Sequence, residues 1–142
     1  MAAAHSEPRS LTLVASPGLQ QELQDIGEPL SRPRGTVLFR RGDSNAGAFL
    51  VRQGTVRLFL RNRRGTLVSD RRMGPGSLLG LPSTLNRRPY SLEAEALEDL
   101  ELIFIASSSL HAFVRASSQG GREVLEILAR ELTAIQSLAA EL

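Results

Sequence analysis

The chain has 142 residues, 42% of them hydrophobic and 23% charged, which suits a single globular domain with one core. It contains no cysteine, so disulfides, thiolate metal sites and iron–sulfur clusters are excluded. No apolar run approaches the ~18 residues that cross a membrane, so no membrane partner is expected. All 17 basic residues are arginine, and they are unevenly placed. From Arg32 to Arg88 there are 13 arginines and two acids (Asp43 and Asp70); from Glu93 to Leu142 there are three arginines and nine acids. Most of these side chains are read as solvated, with the two halves attracting each other. The functional reading is a positive field that draws an anionic ligand or partner.

The start, MAAAHSEPRS, lacks the charged n-region and apolar centre of a signal peptide, so the cytoplasm is the expected compartment. Residues 1–12 read as a disordered tail and 13–142 as one domain. Pro17 to Gly27 reads as a short helix: Pro17 opens it, Leu19, Leu23 and Ile26 share a face, and Gly27 ends it. A turn is expected from Arg32 to Gly35.

From Gly35 onward glycine punctuates short runs of two-residue alternation. Thr36–Arg40 is read with Val37 and Phe39 on one face. Ala48–Val51 is short and apolar. Thr55–Arg61 places Val56, Leu58 and Leu60 inward, with Arg57 and Arg61 outward. Thr66–Met73 alternates weakly, and Asn62-Arg63-Arg64-Gly65 is a hairpin turn. Gly74-Pro75-Gly76 ends that run, and Gly80-Leu81-Pro82-Ser83-Thr84 opens a short helical turn. Next come Arg87, Arg88 and Pro89, then a strand with Leu92, Ala94 and Ala96 on one face. Leu100–Ile105 is a strongly apolar strand. Regular short strands between turns indicate an all-β sandwich or barrel. A glycine turn feeding a short helix leaves backbone N–H groups free, a geometry that suits an anion.

From Ser107 the period becomes helical. Ser107, Ser108 or Ser109 is expected to cap a short helix carrying Leu110, Phe113 and Val114. Gly120-Gly121 is read as a break, followed by a long helix over 121–142. In it Leu125, Leu128, Leu132, Ile135, Ala139 and Leu142 are spaced 3-4-3-4-3, a coiled-coil seam that predicts a homodimer. Val124, Ile127 and Leu138 widen the stripe, so part of this helix is also expected to pack on the β core.

This order of elements resembles the cyclic nucleotide-binding domain, and more closely the sensor half of the Crp/Fnr group of bacterial regulators. The resemblance covers roughly 17–142. Arg34-Gly35-Thr36-Val37-Leu38-Phe39-Arg40-Arg41-Gly42-Asp43 looks like that group's "G..L...GD". Phe49-Leu50-Val51-Arg52-Gln53-Gly54-Thr55-Val56 looks like its "Y.I..G.V", and Gly74-Pro75-Gly76-Ser77-Leu78-Leu79-Gly80 like its "L..G..FG". The implied fold is mainly β: a β-jelly roll (double-stranded β-helix) with a short N-terminal helix, a short helix in the phosphate-binding-cassette position and a long C-terminal helix.

By the same resemblance, Leu79 to Ala96 is the phosphate-binding cassette. In nucleotide-binding members a glutamate follows the glycine and holds the ribose, and an arginine after a proline pairs with the cyclic phosphate. Here Leu81 stands at the glutamate position and Tyr90 at the arginine position, followed by Ser91. The candidate ligand residues are therefore Gly80, Leu81, Pro82, Ser83, Arg87, Arg88, Tyr90 and Ser91. Leucine accepts no hydrogen bond, and a buried hydroxyl left unpaired costs ~1–3 kcal/mol, so weak or no binding of cyclic AMP is expected. A cyclic nucleotide or another small anion remains the possible ligand, and no cofactor is assigned.

The group's regulators continue into a winged helix-turn-helix. No second recognition-type helix follows here, so specific DNA binding by this chain is not expected; a stand-alone sensor and a piece of a longer protein both remain open. An enzyme is not expected. The histidines are His5, in the tail, and His111, on a helix, too few for a cupin-type metal site or a histidine triad. Glu93 and Glu95 alternate with small apolar residues and read as a solvent face. Single-strand nucleic-acid binding lacks stacking platforms, because Phe39, Phe49 and Phe59 read as core. The non-catalytic alternative to a sensor is a protein-interaction or dimerisation module that kept only the fold.

Overall fold

The structure is a computed structural model that describes residues 14–116 and 118–139, with only the backbone of 135–139. The expected tail and Leu142 lie outside the described residues, as do the side chains of Ile135 and Ala139. Helix α1 spans Pro17–Ile26. The Ser16 hydroxyl accepts the Leu19 N–H at 3.2 Å and caps it. Leu19 and Leu23 are buried, whereas Ile26 is 37% exposed and leaves the expected face in the last turn.

Eight strands follow: β1 (Glu28–Arg32), β2 (Val37–Phe39), β3 (Gly47–Gln53), β4 (Val56–Arg61), β5 (Leu67–Met73), β6 (Leu78–Leu79), β7 (Glu93–Ala96) and β8 (Leu100–Ala106). Helix α2 (Leu81–Leu85) interrupts them, and α3 (Ser107–Arg115) and α4 (Gln119–Ala139) close the chain. Two antiparallel sheets form, in the orders β1-β8-β3-β6 and β2-β7-β4-β5, as in a jelly roll.

The central strands of the first sheet, β3 and β8, are buried on both faces. Ala48, Leu50, Ile103 and Ile105 join Leu19, Leu23, Leu78, Leu81, Leu110, Val124 and Ile127 in a core under the helices. Their neighbours in sequence, Phe49, Val51, Leu100 and Leu102, join Phe39, Val56, Leu58, Met73 and Tyr90 in a core between the sheets. Successive residues of a strand point to opposite faces, so burial on both sides requires the continuous apolar runs AFLV and LELIFI.

Four expectations change. The polar segment 28–32, partly read as turn, is a strand on the sheet edge. Its sides are mostly exposed, so it carries no alternation, and an edge tolerates Pro29. Val37 and Phe39 do not share a face: an irregularity in the pairing with β7 leaves Val37 41% exposed and Phe39 3%. Phe59 is buried as expected, at 9% exposure, but outside the two core clusters. It lies on the outer face beneath Arg57 and Arg61, whose guanidinium carbons sit 4.3 and 5.9 Å from its ring centre. Arg57 also holds Asp70 at 2.9 and 3.1 Å.

The fourth change is at the helix junction. Helix α3 begins at Ser107 with no side-chain cap, and the break falls before Ser118 rather than at the glycines. Gly120 and Gly121 lie in the first turn of α4, where the Ser118 hydroxyl accepts the Gly121 N–H at 3.1 Å. A Cβ at Gly120 would meet the Glu22 carboxylate and, at 2.7 Å, the Phe113 ring, so glycine here permits close helix packing. Gly120→Ala is therefore expected to cost about 1–3 kcal/mol in urea denaturation. Gly18→Ala, with nothing within 4 Å, should change stability little. Equal effects would show that close approach does not fix the junction.

Candidate functional site

The cassette begins where β6 stops. Gly80 has φ +77, a left-handed conformation that turns the chain from strand into α2. Its carbonyl accepts the Thr84 N–H at 3.0 Å and the Thr84 hydroxyl at 2.7 Å. Leu81 is fully buried, and it faces the core under the helices rather than the cassette cavity.

The end of α2 accounts for the arginine pair. Arg87 takes φ +57, its N–H bonds to the Thr84 carbonyl at 3.2 Å, and the Arg88 N–H bonds to the Ser83 carbonyl at 2.9 Å. This is a left-handed helix stop in which arginine stands where glycine is usual. Both side chains are exposed. Arg88 lines an open outer groove of about 370 Å³ with Arg41, Asn86 and the cassette residues Pro82, Ser83, Tyr90 and Ser91; neither Arg87 nor Arg88 lines the inner cavity.

Tyr90 does the opposite. Its backbone is pinned to the β2–β3 turn: its N–H bonds to the Asp43 carbonyl at 3.1 Å, and its carbonyl accepts the Gly42 N–H at 2.8 Å. The ring is 6% exposed and stacks on Phe39, with centres 4.0 Å apart and planes 8° apart. The hydroxyl donates to the Gly47 carbonyl at 2.6 Å. Burial raises the phenol pKa above its ordinary value, keeping the group a donor.

What remains inside is a cavity of about 10 Å³, space for a single water. Gly80, Pro82, Ser83, Tyr90 and Ser91 line it, together with Phe39, Leu58 and Leu92. The Ser83 and Ser91 hydroxyls face each other at 3.3 Å. Of the eight candidate ligand residues, Gly80, Pro82, Ser83, Tyr90 and Ser91 surround the inner cavity; Pro82, Ser83, Tyr90 and Ser91 also line the outer groove with Arg88, while Leu81 and Arg87 line neither.

The remaining wall is Glu131, from α4. It is 3% exposed, and burial pushes its carboxyl pKa up to about 7, against a smaller opposing pull from Arg71. Its sequence signal lies in the widened stripe, where Glu131 continues the 3-4 spacing of Val124 and Ile127. Of the seam, Leu125 is 47% and Leu132 37% exposed, and Leu128 packs partly on the core under the helices. His111 lies between helices: Nδ1 faces the Ser107 carbonyl at 2.7 Å and Nε2 the Leu85 carbonyl at 3.1 Å, joining α3 to the end of α2.

The sequence profile of the cyclic nucleotide-binding domain matches residues 29–117, more than half of the chain, and the chain belongs to that family. Within it, the relatives are regulators of Crp/Fnr type. The chain is 33% identical over 100 residues to the cyclic AMP receptor protein of Thermus thermophilus, a match covering 70% of this chain and 46% of that protein. It is 30% identical over 125 residues to the transcriptional activator protein anr of Pseudomonas aeruginosa, covering 88% and 50%. The crystal structure of the Thermus thermophilus catabolite activator protein matches with a TM-score of 0.74 and 28% identity, over 85% of this chain and 57% of that one. The chain spans about half the length of the curated relatives it matches. Among the described residues no helix is long and apolar enough to cross a membrane.

If ring packing rather than the hydroxyl holds the cassette, Tyr90→Phe should lose about 1 kcal/mol and Tyr90→Ala about 3 kcal/mol or more in urea denaturation. Equal losses would place the energy in the hydroxyl.

Proposed function

We propose that this domain is a non-catalytic regulatory sensor module of Crp/Fnr type. In this reading its altered cassette does not hold a cyclic nucleotide, and its state is passed on through α4. The observation that carries the reading is Tyr90. Its ring stands in the cassette on Phe39, and the enclosed space on its inner side is about 10 Å³, whereas an enclosed small-molecule pocket takes roughly 300–1,000 Å³; the groove of about 370 Å³ on its outer side is open. A nucleotide would have to displace a stacked ring and a buried hydrogen bond before making any contact of its own. Leu81 supports the same reading, because it offers nothing to a ribose and is committed to the core.

Helix α4 is the output because it both closes the site and presents an exposed apolar edge. Glu131 lines the inner cavity, the next residue, Leu132, lines the outer groove, and Leu125 continues the exposed edge. That edge supports a homodimer, and it equally favours the second reading, a dimerisation module without ligand. The relatives' names, a receptor and a transcriptional activator, accord with a regulatory rather than an enzymatic role.

Two measurements test this. With millimolar cyclic AMP, cyclic GMP or cyclic dinucleotides, the melting temperature is expected to stay within about 1 °C. A ligand at 100 times its Kd would raise it by roughly 5–15 °C, and such a shift would show that the cassette opens and binds. Light scattering is expected to give a dimer for the wild type and a monomer for Leu132→Glu; an unchanged mass would remove α4 as the interface.

A further inference from the structure

Glu131 is the one acid on the cavity, and no cassette motif employs it. It projects from α4 into a space walled by Ser83, Ser91 and the Tyr90 ring. Among the described residues it makes no ion pair and no hydrogen bond. Of the other residues lining the cavity, Phe39 on β2, Leu58 on β4, Gly80, Pro82, Ser83, Ser91 and Leu92 carry no titrating group. Tyr90 spends its proton on the Gly47 carbonyl. From β5, Arg71 lies opposite Leu58 in register, hence on the same inner face, and is the one charge that acts on Glu131. Ile127, one turn earlier on α4, is buried and apolar.

An ionised carboxylate buried here without a bonded partner is strongly disfavoured, whereas the neutral acid fits. We infer that the ligand of the cassette cavity is a proton: with Glu131 protonated, α4 lies closed over the cassette, and loss of that proton loosens the half of α4 beyond Ile127. This rests on the reading that α4 carries the domain's output. It goes beyond that reading in naming what the cavity responds to.

The sign follows from the raised carboxyl. A released Glu131 titrates near its ordinary 4.5 and the docked one near 7, so the docked helix holds an extra proton between these values. Closure is complete below about pH 4.5, is lost progressively as pH rises to about 7, and is weak and level above it.

The test compares the 142-residue chain with Glu131→Gln from pH 5.5 to 8.5. Hydrogen exchange of α4 amides beyond Ile127, corrected for intrinsic rate, is expected to speed up by about 10- to 100-fold in the wild type and not at all in Glu131→Gln. The wild-type melting temperature should fall by about 5 °C more than the variant's over the same range. A second variant, Arg71→Met, removes the opposing charge and should move the wild-type midpoint to higher pH. Identical profiles for wild type and Glu131→Gln would overturn the inference, as would an unmoved midpoint in Arg71→Met should Glu131→Gln fail to fold. The readout contains no nucleotide, so a failure of the nucleotide experiment and a failure here are told apart.

Discussion

The cassette depends on one hydrogen bond and one ring stack. Tyr90 donates to Gly47 on β3 and lies flat on Phe39 of β2, so a single side chain ties the loop after α2 to strands of both sheets. Because the backbone of Tyr90 is also held by Gly42 and Asp43, the ring has few ways to leave. A buried donor without its acceptor is costly, and a stack of this area adds apolar burial, so the two contacts reinforce each other. The segment after α2 is held together by its own aromatic residue.

Around that point the fold separates two tasks. In the sheet made of β1, β8, β3 and β6, the central strands β8 and β3 are buried on both sides, with helices on one face and the second sheet on the other. Their residues alternate between two cores, so neither face can shift alone. The second sheet packs its inner face on the first, and its outer face carries arginines laid over the buried Phe59. The cassette sits where these layers meet α4, the place at which a movement of the helix can be felt by the sheets.

The fold was legible because its strongest signals are strong in any context. The runs AFLV and LELIFI and the glycine spacings around them specify the strands and their order. Features that depend on tertiary pairing were not legible. β1 is an edge strand with polar sides and has no periodicity to show. The irregular pairing of β2 turns Val37 outward against its local pattern. At the site, the direction of Tyr90 follows from a stack with Phe39, fifty-one residues earlier in the chain, which no local pattern shows. Arg87 and Arg88 resemble phosphate ligands in sequence; a left-handed helix end written with arginine instead of glycine hides its structural purpose. Glu131 was visible in principle, as an acid in an otherwise apolar 3-4 series, and only its cavity gives it meaning.

The joint at the root of α4 has a mechanical consequence. The Ser16 N–H and hydroxyl both bond the Glu123 carboxylate at 2.7 Å, so the cap of α1 also clamps the first turns of α4. With the near end fixed, α4 behaves as a cantilever. Glu131 lies about 12 Å along it and Ala139 about 24 Å, at 1.5 Å per residue. In any tilt about that root, the far end at Ala139 travels about twice as far as the middle at Glu131.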